Sequence, residues 1–355
     1  MNRPASLTIG LIGAGDIASR HAEELRDERR VRIAAVAEPH AGRRAEFASR
    51  FEIPRQTGEY RELLSEPAID LVLILTPHHL HLPMVLDSLK AGKHVICEKP
   101  MGRTLAECDA MLAAAASSGK KLFITHNLRG DFFYRTARRR IDSGAVGRLL
   151  LGSFRWFTDE IARLEDPGHW KGTVDRSGGG VFIDGGCHVA DLGNAFFGRA
   201  RKVAAAGKRL VASRDDRGED NGGFIVHYDS GATATFALSF TAGKGFRASR
   251  FAAGMNVDLF GTEGHLEGAY LLRDEVLRRW CIERRPGVEP IHHPPPESSP
   301  HSNDGDFVRA LLDGAPPPLT AVDARNAVAV VEAAYRSMRT GRIEDVDWRD
   351  GSTDR

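Results

Sequence analysis

The sequence has almost no excess of charge and few cysteines. Its 355 residues include 49 Lys and Arg against 48 Asp and Glu, a formal net charge of +1. It therefore lacks the basic surplus that would favour a nucleic acid or an anionic membrane surface as partner. The four cysteines, Cys97, Cys108, Cys187 and Cys281, have no CxxC spacing. Sparse free thiols are typical of a reducing compartment, so we expect a cytoplasmic location and no nucleic-acid partner.

Long apolar runs are also missing. The first apolar run, Leu7 to Ile12, has about six residues, too few for the core of a signal peptide or for the roughly 18 apolar residues of a membrane span. Hydrophobic residues make up 42% of the chain and charged residues 27%, which is ordinary for a globular protein. This length predicts about two domains, and no membrane association is expected.

A glycine-rich turn follows the first apolar run. It reads G-x-G-x-x-A from Gly13 to Ala18 and leads into a helical pattern through Leu25. Glycines in such a turn let backbone N–H groups approach a pyrophosphate at the helix N-terminus, and a small third residue lets helix and strand pack closely. The candidate dinucleotide-binding residues in this turn are Gly13, Ala14, Gly15, Asp16 and Ile17.

An acidic residue follows the second predicted strand. Val31 to Ala37 is apolar and ends in Glu38, 20 residues after Ala18. A carboxylate there accepts hydrogen bonds from the adenosine ribose and repels a 2′-phosphate. Glu38 therefore favours NAD over NADP, and the nearby Arg43 and Arg44 moderate that preference. A glycine turn in an unrelated α/β protein is the alternative explanation.

Strands and helices continue to alternate to about residue 126. Apolar runs at 70–75, 94–97 and 122–125 are typical of buried parallel strands. Ligands of a doubly wound sheet bind outside the carboxyl ends of its strands, and polar residues follow these runs: Thr76, Glu98 with Lys99, and His126 with Arg129. The pattern predicts a Rossmann-type, doubly wound α/β domain over residues 1–126.

Residues 127–355 show successive β-type runs in place of alternating strands and helices. β-type runs at 149–157, 202–211, 222–228, 232–240, 252–260 and 264–272, with turn sequences at 229–231 and 261–264, predict an α+β domain with a large, mostly antiparallel sheet. One face of that sheet is a candidate homo-oligomer interface. Residues 286–300 are predicted to form a loop, in which His292 and His293 either reach a site or lie on the surface. Helices are predicted at 304–312 and 321–339, and the former is a candidate to pack back onto the first domain.

The most informative stretch runs from Gly178 to His188. Three glycines, which permit close approach of a backbone or a ligand, lead into a predicted helix that carries Asp184 and His188. Residues four apart lie on one helix face, and a carboxylate beside an imidazole can move protons near neutral pH. An ordinary surface pair is one competing explanation. A zinc site is another, but no third ligand lies at a recognisable spacing, so we expect no metal.

Four segments together resemble a known family. They are Gly13 to Ala18, Thr76 to His81, Glu98 to Pro100, and Gly178 to His188. In this order they are similar to the Gfo/Idh/MocA family, which contains glucose–fructose oxidoreductase and inositol dehydrogenase. The resemblance spans about the first 190 residues, and the Glu-Lys-Pro and Asp-x-x-x-His segments are its most specific parts. His78 is a departure, because the family commonly has Asn there.

The resemblance implies roles for the matching residues. Lys99 would lie between nicotinamide and substrate, whereas Asp184 and His188 would meet the substrate hydroxyl, with His188 as proton acceptor. Glu98 would hold a ribose or the cofactor edge. The residues implied on the nicotinamide side are Thr76, Pro77, His78 and His81. Further substrate-contact candidates are His126, Arg129, Trp156 and Trp170; the two tryptophans suit the apolar face of a sugar, with core packing as the alternative.

The expected activity is that of an NAD-dependent dehydrogenase of the EC 1.1.1 type. It would oxidise a secondary hydroxyl of a sugar, glycoside or cyclitol to a ketone, or catalyse the reverse, with Lys99, Asp184 and His188 as catalytic residues. Two alternatives are a non-catalytic NAD-binding regulator and a sugar-converting enzyme that returns the hydride within one cycle. The presence of all three catalytic candidates argues against the regulator.

Overall fold

The computed structural model describes residues 6–213, 216–242, 254–273, 276–295 and 303–351. The chain divides into two compact units. The first contains the described residues of 1–130, 300–325 and 351–355, and the second contains those of 131–299 and 326–350. The second domain expected from the sequence, 127–355, is therefore interrupted by a segment that belongs to the first unit.

The strands and helices are numbered in chain order. The strands are β1 (Leu7–Ile12), β2 (Val31–Ala37), β3 (Arg55–Thr57), β4 (Leu71–Ile74), β5 (His94–Glu98), β6 (Leu122–Thr125), β7 (Leu149–Phe157), β8 (Ala200–Lys208), β9 (Asn221–Tyr228), β10 (Thr233–Ser239), β11 (Gly254–Gly261), β12 (His265–Arg273), β13 (Val276–Arg285), β14 (Val288–His293) and β15 (Glu344–Asp345). The helices are α1 (Asp16–Arg26), α2 (Ala41–Arg50), α3 (Tyr60–Leu64), α4 (His81–Lys90), α5 (Leu105–Ser118), α6 (Phe132–Asp142), α7 (Ile161–Glu165), α8 (Val174–Ser177), α9 (Cys187–Phe197), α10 (Asp304–Asp313) and α11 (Ala321–Thr340).

The first unit is built on a parallel six-stranded sheet. Its strand order is β3-β2-β1-β4-β5-β6, the order of a doubly wound dinucleotide-binding sheet. Every residue of β4 is buried, as expected of a parallel strand covered on both faces. This confirms the predicted fold class, and the carboxyl ends of β1, β4 and β5 lead into the glycine turn, Thr76 and Lys99.

Two helices of the first unit show how local sequence and packing act together. Thr104 caps α5 by accepting a hydrogen bond from Glu107 N at 3.2 Å, which satisfies one backbone donor of the first helical turn. The predicted helix at 304–312 is α10, and it belongs to this unit. Its Phe307 has no exposed surface and stacks on Phe123 of β6, with ring centroids 4.8 Å apart.

The second unit contains a nine-stranded mixed sheet. The order is β14-β13-β12-β11-β7-β10-β9-β8-β15. Only the β7–β10 pair is parallel among the strand pairs of this sheet in the described part of the chain. Phe154, Phe224 and Phe236 stack on one face and form part of the core. The predicted mostly antiparallel sheet is thus confirmed.

The loop predicted over residues 286–300 is wrong in part. Residues 288–293, expected within a loop, form β14 and pair with β13, so His292 and His293 lie on a strand. Pro290 obscured the pattern, because proline cannot donate a hydrogen bond to a neighbouring strand. It is tolerated here because β14 is an edge strand. Residues 296–300 of the expected loop, and 252–253 of an expected strand, lie outside the described residues.

Within the residues that the structure describes, no helix combines the length and apolar character needed to cross a membrane.

Candidate active site

The turn between β1 and α1 uses its two glycines differently. Gly13 has a φ of +101°, and a Cβ there would lie 2.4 Å from the Leu75 carbonyl oxygen, so a side chain would prevent the turn. A Cβ on Gly15 would meet no described atom within 4 Å. This open space adjoins the N-terminus of α1, where backbone N–H groups attract anions. The turn therefore fits a dinucleotide pyrophosphate.

The remaining residues of the turn differ in exposure. Ala14 is buried, Asp16 is exposed as the first residue of α1, and Ile17 is half-buried. Ala18 has no exposed surface, which is consistent with the close helix–strand packing that its small side chain predicts.

Glu38 lies directly after β2, beside the glycine turn. Its carboxylate accepts hydrogen bonds from Ala14 N at 3.2 Å, His40 N at 3.0 Å and the Arg43 guanidinium at 2.9 Å. Burial alone would raise the pKa of Glu38, but these hydrogen bonds and the Arg43 charge hold it below its ordinary value. Arg44 donates to the Glu38 carbonyl oxygen at 2.6 Å. Both arginines near the expected ribose site are therefore engaged by residue 38.

His81 connects two of the segments that carry the family resemblance. It has no exposed surface, and its ring nitrogens lie 2.9 Å from the carbonyl oxygens of Thr76 and Pro100. Burial lowers the pKa of His81. Thr76 and Pro77 are half-buried after β4, and His78 is buried in a short turn next to His81. His81 thus ties the end of β4 to the Lys99–Pro100 segment, whose peptide bond is cis.

Glu98 ends β5 and is held by three groups of the first unit. Its carboxylate accepts hydrogen bonds from the Thr125 hydroxyl at 2.6 Å and from Lys99 N at 3.1 Å, and it lies 3.0 Å from Nε2 of His21. Nδ1 of His21 lies 2.5 Å from the carboxylate of Asp304. The side chain of Lys99 itself is half-buried.

Charge explains the protonation states in this cluster. Burial would raise the pKa of Glu98, but the hydrogen bond and charge of His21, with the charge of Lys99, lower it to about 2. Burial would lower the pKa of His21, but the carboxylates of Asp304 and Glu98 together raise it to about 10. At neutral pH the cluster is therefore an imidazolium between two carboxylates.

His126 and Arg129 are buried after β6. The His126 carbonyl oxygen accepts a hydrogen bond from the Asn303 amide at 2.8 Å. The Arg129 guanidinium donates to the Pro318 carbonyl oxygen at 3.4 Å and lies 3.9 Å from Asp323. These two expected substrate residues therefore contact the segment around α10 in the first unit.

In the second unit, protein groups occupy the space that the glycine run leaves. A Cβ on Gly180 would lie 1.8 Å from the Glu219 carbonyl oxygen, and one on Gly179 would lie 2.1 Å from the Tyr335 hydroxyl. Gly178, with a φ of +87°, ends α8. The sequence suggested that either a backbone or a ligand lies close to these glycines. In the structure, the backbone of Glu219 and the side chain of Tyr335 do so.

Glu219 holds the turn that follows the glycines. Its carboxylate accepts hydrogen bonds from Gly180 N at 3.2 Å, Phe182 N at 2.8 Å and the Tyr335 hydroxyl at 2.9 Å. None of these donors carries a charge. Burial therefore dominates and raises the pKa of Glu219, although the hydrogen bonds act in the opposite direction.

Asp184 and His188 do not lie on one regular α-helix. Phe182–Gly186, which contains Asp184, forms a π-helical turn, and α9 with His188 begins after it. The expected α-helical alignment of the two residues is wrong in this first turn, because the sequence pattern does not distinguish the two helix types. Single π-turns are frequent at functional sites. A Cβ on Gly185 would lie 2.5 Å from Trp156, so the absence of a side chain lets this turn contact the indole.

His188 is buried and stacks on Trp156. The ring centroids are 4.9 Å apart and the planes are inclined by 21°. Only 6% of His188 is exposed, so the ring is held in one orientation with little access for bulk water. Trp156 is half-buried on β7.

Lys171 is the main residue that sequence reasoning missed. Its ammonium lies 2.7 Å from the Asp184 carboxylate and 3.4 Å from the Glu160 carboxylate. It also lies 5.7 Å from the ring centroids of Trp170 and Phe240, within the range of a cation–π contact. Trp170, a predicted substrate residue, is half-buried and adjoins this ammonium. Lys171 belongs to no sequence motif. The only signal in the sequence was the neighbouring Trp170, which was predicted to contact substrate.

A group of potential metal ligands lies elsewhere in this unit. Asp258, His265 and Glu267 offer atoms within 4.8 Å of one another, but Glu267 accepts a hydrogen bond from Arg284 at 2.8 Å. Among the described residues, neither Asp184 nor His188 belongs to such a group.

Comparison with family models identifies both units. A model described as an oxidoreductase family with an NAD-binding Rossmann fold matches residues 7–126, and a GFO/IDH/MocA C-terminal domain model matches residues 134–267. The first boundary lies close to that between the two compact units.

Individual relatives are dehydrogenases. Levoglucosan dehydrogenase of Pseudarthrobacter phenanthrenivorans is 28% identical over 298 residues, which cover 76% of this chain and 75% of that protein. Trans-1,2-dihydrobenzene-1,2-diol dehydrogenase of Bos taurus is 32% identical over 241 residues, or 67% of this chain and 69% of that protein. A solved structure of levoglucosan dehydrogenase in complex with NADH has a TM-score of 0.87 at 22% identity and covers 97% of this chain and 100% of that chain. The protein belongs to the Gfo/Idh/MocA family of NAD-binding oxidoreductases.

Proposed function

We propose that this enzyme oxidises a secondary hydroxyl group of a sugar, a glycoside or a cyclitol to a ketone, or catalyses the reverse reaction. The observation that carries the proposal is a buried imidazole, His188, directly after a π-turn that bears Asp184. Relatives support the substrate class by their names, among them myo-inositol 2-dehydrogenase of Thermotoga maritima, 24% identical over 96% of this chain and 99% of that protein.

His188 is the proton acceptor in this proposal. Stacking on Trp156 fixes the plane of its ring, and burial limits competition from water. Asp184 lies one turn earlier, with its carboxyl group 2.7 Å from the Lys171 ammonium. Its carboxylate favours the imidazolium that forms when His188 takes the hydroxyl proton. Proton transfer of this kind contributes about 10²–10⁴-fold to a rate.

Lys99 stabilises the negative charge that develops on the substrate oxygen. A positioned ammonium is suited to this task because it needs little reorganisation during the reaction. Bound NAD supplies the hydride acceptor. The open backbone at Gly15 would receive its pyrophosphate, and the Glu38 carboxylate would accept hydrogen bonds from the ribose and repel a 2′-phosphate. We therefore expect NAD to be preferred over NADP.

Aromatic faces suit the proposed substrates. Trp156 and Trp170 are both half-buried in the second unit, and an indole packs well against the apolar face of a sugar ring. The carboxylates of Glu160 and Asp184 can accept hydrogen bonds from substrate hydroxyls beside the Lys171 ammonium.

The direct test is to measure absorbance of reduced nicotinamide with NAD and a panel of inositols, anhydrosugars, free sugars and glycosides. Wild-type protein, Lys99→Met and the surface variant Lys90→Met are compared. The proposal predicts NAD reduction with at least one compound by wild type and Lys90→Met, and loss of that signal in Lys99→Met. Equal turnover by Lys99→Met would contradict the assigned role of Lys99.

The same experiment separates the alternatives. NAD that is released in reduced form only on denaturation, with net conversion of a sugar, would indicate an enzyme that returns the hydride within one cycle. Binding of NAD without any turnover across the panel would favour the non-catalytic regulator.

We also propose that the chain forms a homo-oligomer through the open face of the large sheet. Leu151, Ile225 and Phe260 are 41–54% exposed. Leu151 of β7 pairs with Phe260 of β11. Ser153, two residues after Leu151 and so on the same face, pairs with Thr235 of β10, which in turn pairs with Ile225 of β9. All three apolar side chains therefore lie on one face. Light scattering should give a multiple of the 38.8 kDa chain mass, and Ile225→Arg should lower it.

We further propose that the enzyme works in the cytoplasm. All four cysteines are buried and none forms a disulfide bond, as expected of a protein in a reducing compartment. Cell fractionation with detection of the tagged full chain tests this; recovery from an extracytoplasmic fraction would contradict it.

A further inference from the structure

His21 lies in the middle of α1, away from the glycine turn that begins the helix, and is 2% exposed. Its two nitrogens face carboxylates that are distant in sequence, Glu98 at the end of β5 and Asp304 at the start of α10, 77 and 283 residues away. The nicotinamide-binding role expected of the first unit does not account for this arrangement. A buried histidine that merely packs needs no pair of charged partners.

We propose that His21 is a positioning residue for Lys99, acting through Glu98 and completed by Asp304. The proposal rests on the proposed function, because it assumes that Lys99 takes part in the reaction. It assigns a role to α10, which belongs to the first unit although it is encoded after the second.

The contacts form a continuous path from Asp304 to Lys99. Asp304 contacts His21, His21 contacts one carboxylate oxygen of Glu98, and the other oxygen of Glu98 accepts the backbone N–H of Lys99. Thr125 holds the same Glu98 oxygen as His21, at 2.6 Å. Glu98 therefore cannot rotate without losing a contact to the backbone of the catalytic lysine.

Charge makes His21 difficult to replace. The ionisable groups that face it are Glu98 from β5 and Asp304 from α10, both almost fully buried, and Lys99 follows Glu98. An imidazolium balances the two carboxylates and donates to both at once. Without it, two buried carboxylates remain, and burying unpaired charge is strongly unfavourable. Glu98 would then be protonated, which weakens it as an acceptor for Lys99 N–H, or displaced, which removes that acceptor.

The Asp304 end of the path is itself fixed. Asn303, the residue before Asp304, donates to the His126 carbonyl oxygen at 2.8 Å, and Phe307 one turn later stacks on Phe123. Phe123 lies on β6, and His126 directly follows it. Asp304 therefore reaches His21 from a helix that is anchored on the same sheet.

The test compares wild type, His21→Gln and Asp304→Asn with the control His94→Gln. His94 lies at the opposite end of β5, where its half-exposed ring accepts a hydrogen bond from Lys121 N. Turnover is measured on a substrate found in the panel above, and NAD affinity is measured by fluorescence. We expect turnover to fall about 100-fold in His21→Gln, since a displacement of about 1 Å can have that effect. NAD affinity should change less than about threefold, and His94→Gln should behave as wild type.

Coupling distinguishes positioning from a general loss of stability. If His21 acts through Glu98, the double variant His21→Gln/Glu98→Gln should lose about as much turnover as the more affected single variant. Multiplicative losses would overturn the path. In addition, the thermal unfolding temperature of wild type should fall between pH 6.5 and 10 relative to that of His21→Gln, because the unfolded chain releases the His21 proton near pH 6.5 whereas the folded protein holds it to about pH 10.

The inference and the proposed function fail in different ways. If Lys99→Met abolishes turnover while folded His21→Gln retains it within twofold, the positioning role of His21 is wrong and the proposed function stands. If Lys99→Met retains turnover, the proposed role of Lys99 is wrong. If His21→Gln does not fold, Asp304→Asn decides: turnover within twofold of wild type would overturn the inference, and a loss of tenfold or more with unchanged NAD affinity would support it.

Discussion

Each unit holds one of its turns with a buried glutamate, and the two glutamates differ in the charge of their donors. Glu98 accepts the backbone N–H of Lys99 and lies against the His21 imidazolium. Glu219 accepts the backbone N–H groups of Gly180 and Phe182 and a tyrosine hydroxyl. Although burial opposes ionisation of both, the pKa of Glu98 is lowered to about 2 and that of Glu219 is raised. For these two glutamates, the neighbouring cation accounts for the opposite directions of the pKa shifts.

The largest effect expected from this difference is on stability. Glu98→Gln breaks a buried ion pair and should lower the free energy of unfolding by about 4 kcal/mol. Glu219→Gln keeps an oxygen acceptor for neutral donors and should cost about 1 kcal/mol. Urea unfolding followed by fluorescence and by circular dichroism compares them. Equal losses in the two variants would show that the charge of His21 does not matter.

Substitution by alanine should affect stability in one glycine turn and NAD binding in the other. At Gly180 a Cβ would lie 1.8 Å from a backbone oxygen, so Gly180→Ala should lower the free energy of unfolding by about 3 kcal/mol. At Gly15 a Cβ has room in the described structure and φ is −83°. Gly15→Ala should therefore fold normally but bind NAD about tenfold more weakly, because the methyl group occupies the space of the pyrophosphate.

Thermal melts and NAD titrations of both glycine variants provide the check. A stable Gly180→Ala would contradict the close packing of Glu219 against the glycine run. Unchanged NAD affinity in Gly15→Ala would place the pyrophosphate elsewhere.

The two glutamates also predict pH effects of opposite sign. Because the folded-state pKa of Glu98 is depressed, its contribution to stability is present above about pH 4.5 and is lost as the pH falls towards 2. Because that of Glu219 is raised, its protonated form is favoured by folding, and stability falls as the pH rises above 4.5. Each group changes stability by at most about 1.4 kcal/mol per pH unit.

Melting curves of wild type, Glu98→Gln and Glu219→Gln from pH 3 to 8 test these signs. Compared with Glu98→Gln, wild type should lose stability as the pH falls below 4.5. Compared with Glu219→Gln, it should lose stability as the pH rises above 4.5. The same sign in both comparisons would contradict the account.

The smallest effect is expected at Lys171. Its ammonium is 15% exposed and joins Asp184 to Glu160. Lys171→Met should lower turnover about tenfold (about 1.4 kcal/mol), because Asp184 loses the cation that fixes it. Arg163→Met is the matched control, since Arg163 contacts Glu160 from a 47% exposed position. Steady-state kinetics that show equal turnover in both variants would exclude a positioning role for Lys171.

The sequence was sufficient to predict most of the fold, for physical reasons. Parallel strands such as β4 are buried on both faces and so appear as uninterrupted apolar runs. Turn residues at 229–231 and 261–264 separated predicted strands of the second sheet. β14 was missed because Pro290 is tolerated only at an edge, and the position of a strand in its sheet is not visible locally.

Only those residues of the candidate site that lie close together in the sequence could be predicted as a group. The short spacing of Asp184 and His188 made them candidates from the sequence, whereas the π-turn that contains Asp184 has no distinct sequence pattern. Lys171 meets Asp184 from 13 residues away, and His21 meets Asp304 from 283 residues away. Such contacts depend on how the chain returns through space, so residue type and spacing alone did not indicate them.

The most direct test of the account is a single-turnover measurement of nicotinamide reduction by wild type and His188→Asn with a substrate from the panel. If His188 is the proton acceptor, the rate should fall by about 10²–10⁴-fold, with NAD affinity unchanged. A His188→Asn rate within threefold of wild type, at equal NAD occupancy, would contradict the proposed chemistry.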